Sequence, residues 1–200
     1  GKGEVSMLDL LVNSLRMRPD RIILGEMRRQ QEAMVLFEAM HTGHAVYATV
    51  HADSASETIS RLVNPPLNVP ANLLKAVNLN VVMFRDRKKG IRRVMQVAEF
   101  EAQGNSASAN ILYRWIPDVD QIVSHSTSSR FFEDISRNTG LSQEQIQKEL
   151  NEKKEILKWL VDKNIRSLQD FGKVVNLCYR NKEFLLSSIH KNDVKSILEV

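Results

Sequence analysis

The chain has 200 residues, of which 42% are hydrophobic and 26% are charged, a composition typical of a soluble globular protein of one or two domains. Its single cysteine, Cys178, excludes a disulfide framework and a cysteine zinc cluster and favours a reducing, intracellular compartment. No apolar run approaches the roughly 18 residues of a membrane span, and the formal net charge of +4 is too small to indicate nucleic-acid binding by itself.

The first predicted element is a helix that starts at Ser6. Asp9 follows three residues later, and this spacing is a variant of the capping box. The apolar face recurs at helical spacing and comprises Leu8, Leu11, Val12 and Leu15. Pro19 ends the helix, because the residue before a proline is pushed out of the helical region. Upstream, Gly1–Lys2 followed by Gly3 does not form a phosphate-cradling P-loop, which needs G-x-x-x-x-G-K-[ST].

The next stretch predicts a strand, a helix and a second strand. The short β-branched run Ile22–Leu24 is typical of a buried strand. The helix carries its apolar residues at Ala33, Leu36, Phe37 and Met40. Gly43 is the expected C-cap, and Ala45–Val50 is the second strand. Because α/β folds bind ligands at the carboxyl ends of their strands, Glu26 and His51 are expected at one edge of the sheet.

Short helices and three further strands are predicted before residue 117. Ser54 and Glu57 indicate a capped helix that stops at Pro65–Pro66, and Pro70 opens another short helix. The strands are expected over residues 79–84, 91–100 and 108–115. Short turns between them predict an antiparallel meander that closes the sheet.

The first of these turns is strongly basic. Its six cationic residues are Arg85, Arg87, Lys88, Lys89, Arg92 and Arg93. A solvated hairpin tip that guards a sheet edge is the favoured interpretation, and contact with anionic lipid or an acidic partner loop is the alternative. No aromatic residues interleave with the cations, which argues against a platform for single-stranded nucleic acid.

Beyond Pro117 the strand signals stop and the chain is predicted to be helical. Residues 124–130 form a serine-rich connector. Helix starts are expected at Ser142 with Gln145, at Ser167 with Asp170, and near Asn181. The second helix is expected to turn Leu168, Phe171, Val174, Val175 and Cys178 inward. The predicted domains are therefore an α/β part, residues 1–117, and a small helical bundle, residues 118–200.

The stretch from Arg18 to His51 resembles the type II/type IV secretion ATPases, the motors of secretion systems, type IV pili and archaella. The run I-I-L-G-E ending at Glu26 looks like their Walker B motif. Thr42-Gly43-His44 and Thr49-Val50-His51 look like their histidine box. The resemblance covers roughly residues 4–101, and the segment N-P-P-L-N-V-P is most like archaeal members.

This resemblance implies the C-terminal half of a RecA-like P-loop NTPase domain with an antiparallel strand extension, followed by a small all-helical region. It implies ATP and Mg²⁺ as cofactors, and a homo-hexamer that acts on a membrane platform protein. It places the protein in the cytoplasm, peripheral to the inner face of the membrane, without a span of its own. Nucleic acid is not expected as a partner.

The family pattern also assigns roles to individual residues. Glu26 is expected to orient and activate the attacking water and to meet Mg²⁺ only through a metal-bound water. His44 and His51 are expected near the terminal phosphate. Arg28 and Arg61 are candidates for charge sensing, with Arg28 counted among the catalytic residues. Thr42 and Thr49 are weaker candidates, as hydroxyl donors near the phosphate.

Each of these residues also has an ordinary structural interpretation. A glutamate after a strand can simply favour the start of a helix, and histidines and arginines in loops can be structural or solvated. The threonines fit a sheet edge equally well. A zinc site formed by His41, His44 and His51 is disfavoured, because their spacing matches no known ligand pattern.

Because no Walker A loop is present, the chain is expected to be the C-terminal fragment of a longer ATPase and to be inactive alone. Two rivals remain at this stage. One is a RecA-like nucleic-acid motor, which a steep salt dependence of DNA binding would favour. The other is a non-catalytic assembly module of a secretion complex.

Overall fold

A computed structural model describes residues 3–199, so the prediction about Gly1–Lys2 lies outside the described residues. The helices are α1 Met7–Arg16, α2 Gln30–His41, α3 Ala55–Val63, α4 Phe131–Thr139, α5 Gln143–Asp162, α6 Leu168–Arg180, α7 Lys182–His190 and α8 Val194–Leu198. The strands are β1 Arg21–Leu24, β2 Ala45–Ala48, β3 Asn80–Asp86, β4 Ile91–Gln103, β5 Ser106–Ile116 and β6 Gln121–Ser124. A 3₁₀ helix covers Ala71–Ala76. The chain divides into two compact units, Gly1–Ser129 and Arg130–Val200.

The first helix begins as predicted. The Ser6 hydroxyl accepts a bond of 3.1 Å from the Asp9 backbone N–H, and the Asp9 carboxylate accepts one of 3.0 Å from the Ser6 N–H. This reciprocal pair satisfies two of the amide groups that a helix start leaves without partners. At the other end Met17 is the C-cap, two residues before Pro19.

The predicted strand–helix–strand unit is present. Strands β1 and β2 pair in parallel, with Arg21 opposite Ala45 and Leu24 opposite Ala48, and α2 connects them. Gly43 follows α2 with a φ of 92°, a conformation that glycine adopts without steric cost. The prediction of a fully buried first strand is wrong in one respect. Side chains alternate between faces along a strand, so Ile23 is 78% exposed while its neighbours are buried.

The meander forms a sheet of its own. Strands β3, β4, β5 and β6 pair antiparallel in sequence order, and the two parallel strands form a separate sheet. The expectation that the meander closes the first sheet is therefore wrong for the described residues. The core between the helices and the meander includes Phe37, Leu62, Leu74 and Phe100, all nearly inaccessible to solvent. The mixed α/β class is as predicted.

The boundary between the units lies twelve residues after the predicted one, at Ser129 instead of 117. Strand β6, beyond Pro117, pairs with the end of β5, so the meander has a fourth strand that the sequence analysis missed. The serine-rich segment after it is not a free connector. The Ser126 hydroxyl donates a bond of 2.6 Å to the Ile111 carbonyl, and the Ser129 N–H donates one of 3.1 Å to buried Glu99.

The second unit is helical, as predicted, but it has two helices, α4 and α8, that were not predicted. The cap of α5 at Ser142 and Gln145 is confirmed as a capping box. The core of this unit comprises Ile156, Trp159, Leu160, Val174, Leu185, Ile189 and Ile197. The inward direction predicted for Leu168, Phe171 and Val175 is wrong, since these side chains are 86%, 41% and 36% exposed. Within residues 3–199, no helix is both long and apolar enough to cross a membrane.

Candidate functional site

The two segments that leave the parallel strands are tied together immediately beyond the sheet. Gly25 and Glu26 are the first two residues after β1, and Thr49 is the first residue after β2. The Met27 N–H donates a bond of 3.1 Å to the Thr49 carbonyl, and the Thr49 hydroxyl donates to the Gly25 carbonyl. These bonds extend the parallel pairing past the strand ends, and they fix the backbone on both sides of Glu26.

Glu26 is the centre of a small charged cluster. Its Oε2 accepts a hydrogen bond of 2.7 Å from Nε of Arg28 and lies 2.6 Å from Nη2 of the same guanidinium, a charge-assisted pairing. Its Oε1 lies 3.2 Å from Nε2 of His51. The Glu26 side chain is 24% exposed, whereas Arg28 and His51 are 74% and 83% exposed. The two partners therefore stand between the carboxylate and the solvent.

The electrostatics of this cluster favour the ionised carboxylate. The hydrogen bond from Arg28 lowers the pKa of Glu26 most, and the charges of Arg28 and His51 add to this effect, while partial desolvation opposes it. The same pairing raises the pKa of Arg28. Glu26 is thus anionic at neutral pH, and it accepts hydrogen bonds without donating them.

The other half of the histidine box lies at the C-terminus of α2. The Thr42 hydroxyl bonds the carbonyls of Glu38 and Ala39 at 3.1 Å, which satisfies acceptors that the helix end leaves open. Nδ1 of His44 lies 3.3 Å from the same hydroxyl oxygen. This contact fixes the orientation of the His44 ring relative to the end of α2.

A cavity of about 1130 Å³ connects these residues within the first unit. Among the side chains that line it are His44, Thr49, His51, Glu57 and Arg61. Residues of β2 and β3 form its walls, as do those of α3. Glu26 lies at the margin of this cavity, since its neighbour Met27 and its partner His51 both line it.

Arg61 is engaged on the same wall. It pairs with Glu57, one helical turn earlier, at 3.1 Å, and Glu57 also accepts a bond of 2.8 Å from the Asp53 N–H. That backbone bond is the main cause of the lowered pKa of Glu57. From its sequence context Glu57 is expected only to cap a helix. Its spacing of four residues from Arg61 is the signal that both side chains share one face of α3.

The structure thus brings most of the predicted site residues together. Glu26, Arg28 and His51 are in direct contact, and the remaining candidates lie around the same cavity or, like Thr42, bond a residue that lines it. His41 does not belong to this group, because its Nδ1 bonds the Phe37 carbonyl at 2.8 Å. Within the described part of the chain, no group of three or more His, Cys, Asp or Glu residues is arranged to hold a metal ion.

Chemically, the site pairs one fixed acceptor with several donors. The Glu26 carboxylate is suited to orient a water molecule and to accept its proton, provided that it exchanges one of its present partners for the water. Arg28, Arg61 and the imidazoles of His44 and His51 supply donors that suit the oxygens of an anionic ligand. A group that orients water and donors that bind an anion are two of the parts that phosphoryl transfer to water uses.

Comparisons with known proteins support this interpretation at the level of the family. A profile of the family described as "Type II/IV secretion system protein" matches residues 1–163. The chain is 32% identical over 195 residues to "Uncharacterized protein MJ1287" of Methanocaldococcus jannaschii, which covers 95% of this chain and 68% of that protein.

Two bacterial relatives match over shorter segments. "Type IV pilus assembly ATPase PilB" of Pseudomonas aeruginosa is 44% identical over 75 residues, 37% of this chain and 13% of PilB. "Putative conjugal transfer protein Rv3659c" of Mycobacterium tuberculosis is 34% identical over 120 residues, 56% of this chain and 34% of that protein. The chain therefore spans only a small part of these two relatives. From the profile match and the similarity to MJ1287, we conclude that the chain belongs to the type II/IV secretion system protein family.

Proposed function

We propose that this chain is part of a hexameric ATPase that hydrolyses ATP to power protein secretion or the assembly of type IV pilus-like filaments. Family membership and the similarity to PilB support the class of motor. The observation that carries the chemical assignment is the cluster at the end of β1, where Glu26 contacts both Arg28 and His51 beside the cavity.

In this proposal Glu26 orients the attacking water and accepts its proton. His51 and His44 donate hydrogen bonds to the terminal phosphate, and Thr49 holds the loop that carries His51. Arg28 keeps Glu26 ionised and in one orientation until a phosphate oxygen replaces the carboxylate as its acceptor.

Thr42 fixes the ring of His44, while Arg61 responds to the nucleotide from α3. The pairing of Arg61 with Glu57 leaves the Arg61 side chain 54% exposed, so it remains accessible to an entering anion.

The residues of the site fit ATP with Mg²⁺ if Glu26 meets the metal ion only through a bound water. Both oxygens of Glu26 already lie against nitrogens of Arg28 and His51, so this carboxylate suits an outer position in which it bonds a metal-bound water. When bound, the metal ion supplies charge neutralisation at the phosphates. The contribution of this chain is to position Glu26 and the histidines.

We further propose that the complete protein works at the cytoplasmic face of the membrane and transmits its motion to a membrane platform protein. The similarity to Rv3659c favours a second candidate system, conjugal transfer. The non-catalytic assembly module is less well supported, because Glu26 and both histidines of the expected box, His44 and His51, are present.

Release of phosphate from Mg-ATP tests the proposal. It is measured for the 200-residue chain and for the full reading frame that encodes it. We expect turnover only when a sequence G-x-x-x-x-G-K-[ST] is present, because the backbone of that loop grips the phosphates. Glu26→Gln is expected to lower turnover by about 10²–10⁴-fold, the usual contribution of a general base.

The matched control is Glu38→Gln on the exposed side of α2, which also removes one carboxylate. It should leave turnover unchanged. Equal activity of Glu26→Gln and the unmodified protein would rule out the role of Glu26. Turnover by the 200-residue chain alone would show that the expected dependence on a separate phosphate loop is wrong.

A further inference from the structure

The positive charge of this protein is concentrated in one hairpin. Residues 85–93 contain six basic residues and one acidic residue, so this segment carries a formal charge of +5, whereas the whole chain carries +4. The remainder of the chain is therefore close to neutral. Such a distribution differs from a generally basic composition, because it creates a local field on one element.

The hairpin projects from the meander as a two-stranded ribbon. Residues 91–94 of β4 pair with β3, whereas the pairing of β4 with β5 begins only at Gln96. The Asp86 carboxylate accepts bonds of 2.8 and 3.1 Å from the N–H groups of Lys88 and Lys89, which closes the turn. The only acidic group of the segment is thus occupied by the backbone of the turn.

We use the name basic hairpin for five exposed cationic residues: Arg85, Arg87, Lys88, Lys89 and Arg92. None of these five forms an ion pair within the described residues. Arg85 and Arg92 even lie directly opposite each other across the ladder, an arrangement of like charges that destabilises a sheet. Protection of the edge strand explains a charge on β3, but it does not explain the cations at the turn and on β4.

Arg93, the sixth basic residue of the segment, differs from the other five because it is paired with a carboxylate. Arg93 donates two bonds of 2.6 Å to the Asp120 carboxylate, which also accepts a bond of 2.8 Å from the Trp115 indole. The ring of Trp115 packs against Phe84 with the ring centroids 5.2 Å apart. These contacts hold the base of the ribbon, and they occupy the aromatic side chains of Phe84 and Trp115.

We propose that the basic hairpin binds the anionic headgroups of a lipid surface. A projecting ribbon with several unpaired cations fits a planar surface of negative charge, where each cation contributes independently. Single-stranded nucleic acid fits less well, since base stacking needs free aromatic faces and Trp115 and Phe84 are already packed together. This proposal does not depend on ATP turnover.

Co-sedimentation of the 200-residue chain with lipid vesicles tests the proposal. Vesicles of pure phosphatidylcholine are compared with vesicles that also contain phosphatidylglycerol, at low and at high salt. We expect binding to the anionic vesicles alone, and loss of binding at high salt because the interaction is screened. The variant Arg85→Gln/Lys88→Gln/Lys89→Gln/Arg92→Gln should bind on the order of 10²–10³-fold more weakly, which corresponds to about fivefold per charge.

Two further variants separate the hairpin from net charge and from fold. Lys154→Gln/Lys158→Gln/Lys163→Gln/Lys191→Gln removes the same charge from exposed positions of the second unit and should retain binding. The variant Arg85→Lys/Arg92→Lys keeps the charge of the hairpin and should also retain binding to the anionic vesicles. Each variant is expected to fold, because Asp86 and Arg93 are left intact. Circular dichroism and the thermal midpoint of unfolding check this for each variant.

Several results would overturn the proposal. These are equal binding to neutral vesicles, equal weakening by the two four-residue variants, and loss of binding in the arginine-to-lysine variant. A single-stranded DNA oligonucleotide, or a peptide of glutamates, is tested at the same salt concentration. Tighter binding of either than of the anionic vesicles, abolished in the hairpin variant, would assign the surface to that partner instead.

Discussion

Glu26 illustrates how two backbone segments and two side chains define the properties of one carboxylate. The parallel pairing of β1 and β2 predicts that the residues after them meet at one edge, and His51 does lie against Glu26. The contact with Arg28 could not be predicted in the same way. It lies two residues away in a segment without regular structure, so its direction depends on the bend of the loop.

The first prediction concerns Arg28. Its hydrogen bond is the largest cause of the lowered pKa of Glu26, so Arg28→Gln should raise that pKa towards its ordinary value. The stabilisation from a lowered carboxyl pKa is present above the ordinary pKa and is lost as the pH falls through the folded value. The variant should therefore show less loss of stability in acid than the unmodified chain. Carboxyl ¹³C shifts recorded by NMR over a pH titration measure the change.

Arg29→Gln is the control for this titration. Arg29 is exposed at the N-cap of α2, and its side chain makes no capping bond. The Arg29→Gln variant should leave the pKa of Glu26 unchanged. If Arg28→Gln and Arg29→Gln moved the Glu26 pKa equally, the cause would be general charge and not the bond that Arg28 forms.

At the scale of elements, the starts of helices were predicted best because their signals are local. Ser6, Ser54, Ser142 and Ser167 all accept a bond from the N–H three residues later. Strand β6 was missed because all four of its residues are exposed, which removes the alternation that marks a half-buried strand. The serine segment after it was missed because its structure depends on distant partners in β4 and β5.

The second prediction tests that segment through Glu99. This carboxylate is 2% exposed and accepts bonds from Ser128 and Ser129, so Glu99→Ala leaves both donors without this acceptor. We expect a loss of about 1–3 kcal/mol in the free energy of unfolding, the usual cost of unpaired buried polar groups. Hydrogen exchange of residues 124–129 should accelerate at the same time.

The control variant for Glu99→Ala is Glu101→Ala. Glu101 lies on the same strand, and its side chain is exposed. Its effect should stay within about 0.5 kcal/mol, as is usual for surface substitutions. Unchanged exchange of residues 124–129 in Glu99→Ala would mean that the serine segment is held by other contacts.

At the scale of the whole chain, the mixed α/β part and the helical part were predicted, but the separation into two sheets was not. Sheet membership depends on pairing between distant strands, and a list of strands does not contain that information. The compact first unit extends beyond residue 117 because β6 pairs with β5 in a local hairpin and the serine segment bonds residues of β4 and β5.

Each unit has its own buried core, and the last prediction follows from that. Leu74 in the first unit and Leu185 in the second are both fully buried. Replacing either by alanine removes buried methyl groups and leaves a cavity, which costs about 2–5 kcal/mol. Hydrogen exchange followed by mass spectrometry reports the opening of each unit separately. Leu185→Ala should accelerate hydrogen exchange in α5, α6 and α7 and leave the exchange rates of β4 and β5 unchanged. Leu74→Ala should accelerate exchange in β4 and β5 and leave the rates of α5, α6 and α7 unchanged. If one substitution accelerated exchange equally in both sets of elements, the chain would unfold as one cooperative body, and the division after Ser129 would be geometric without being energetic.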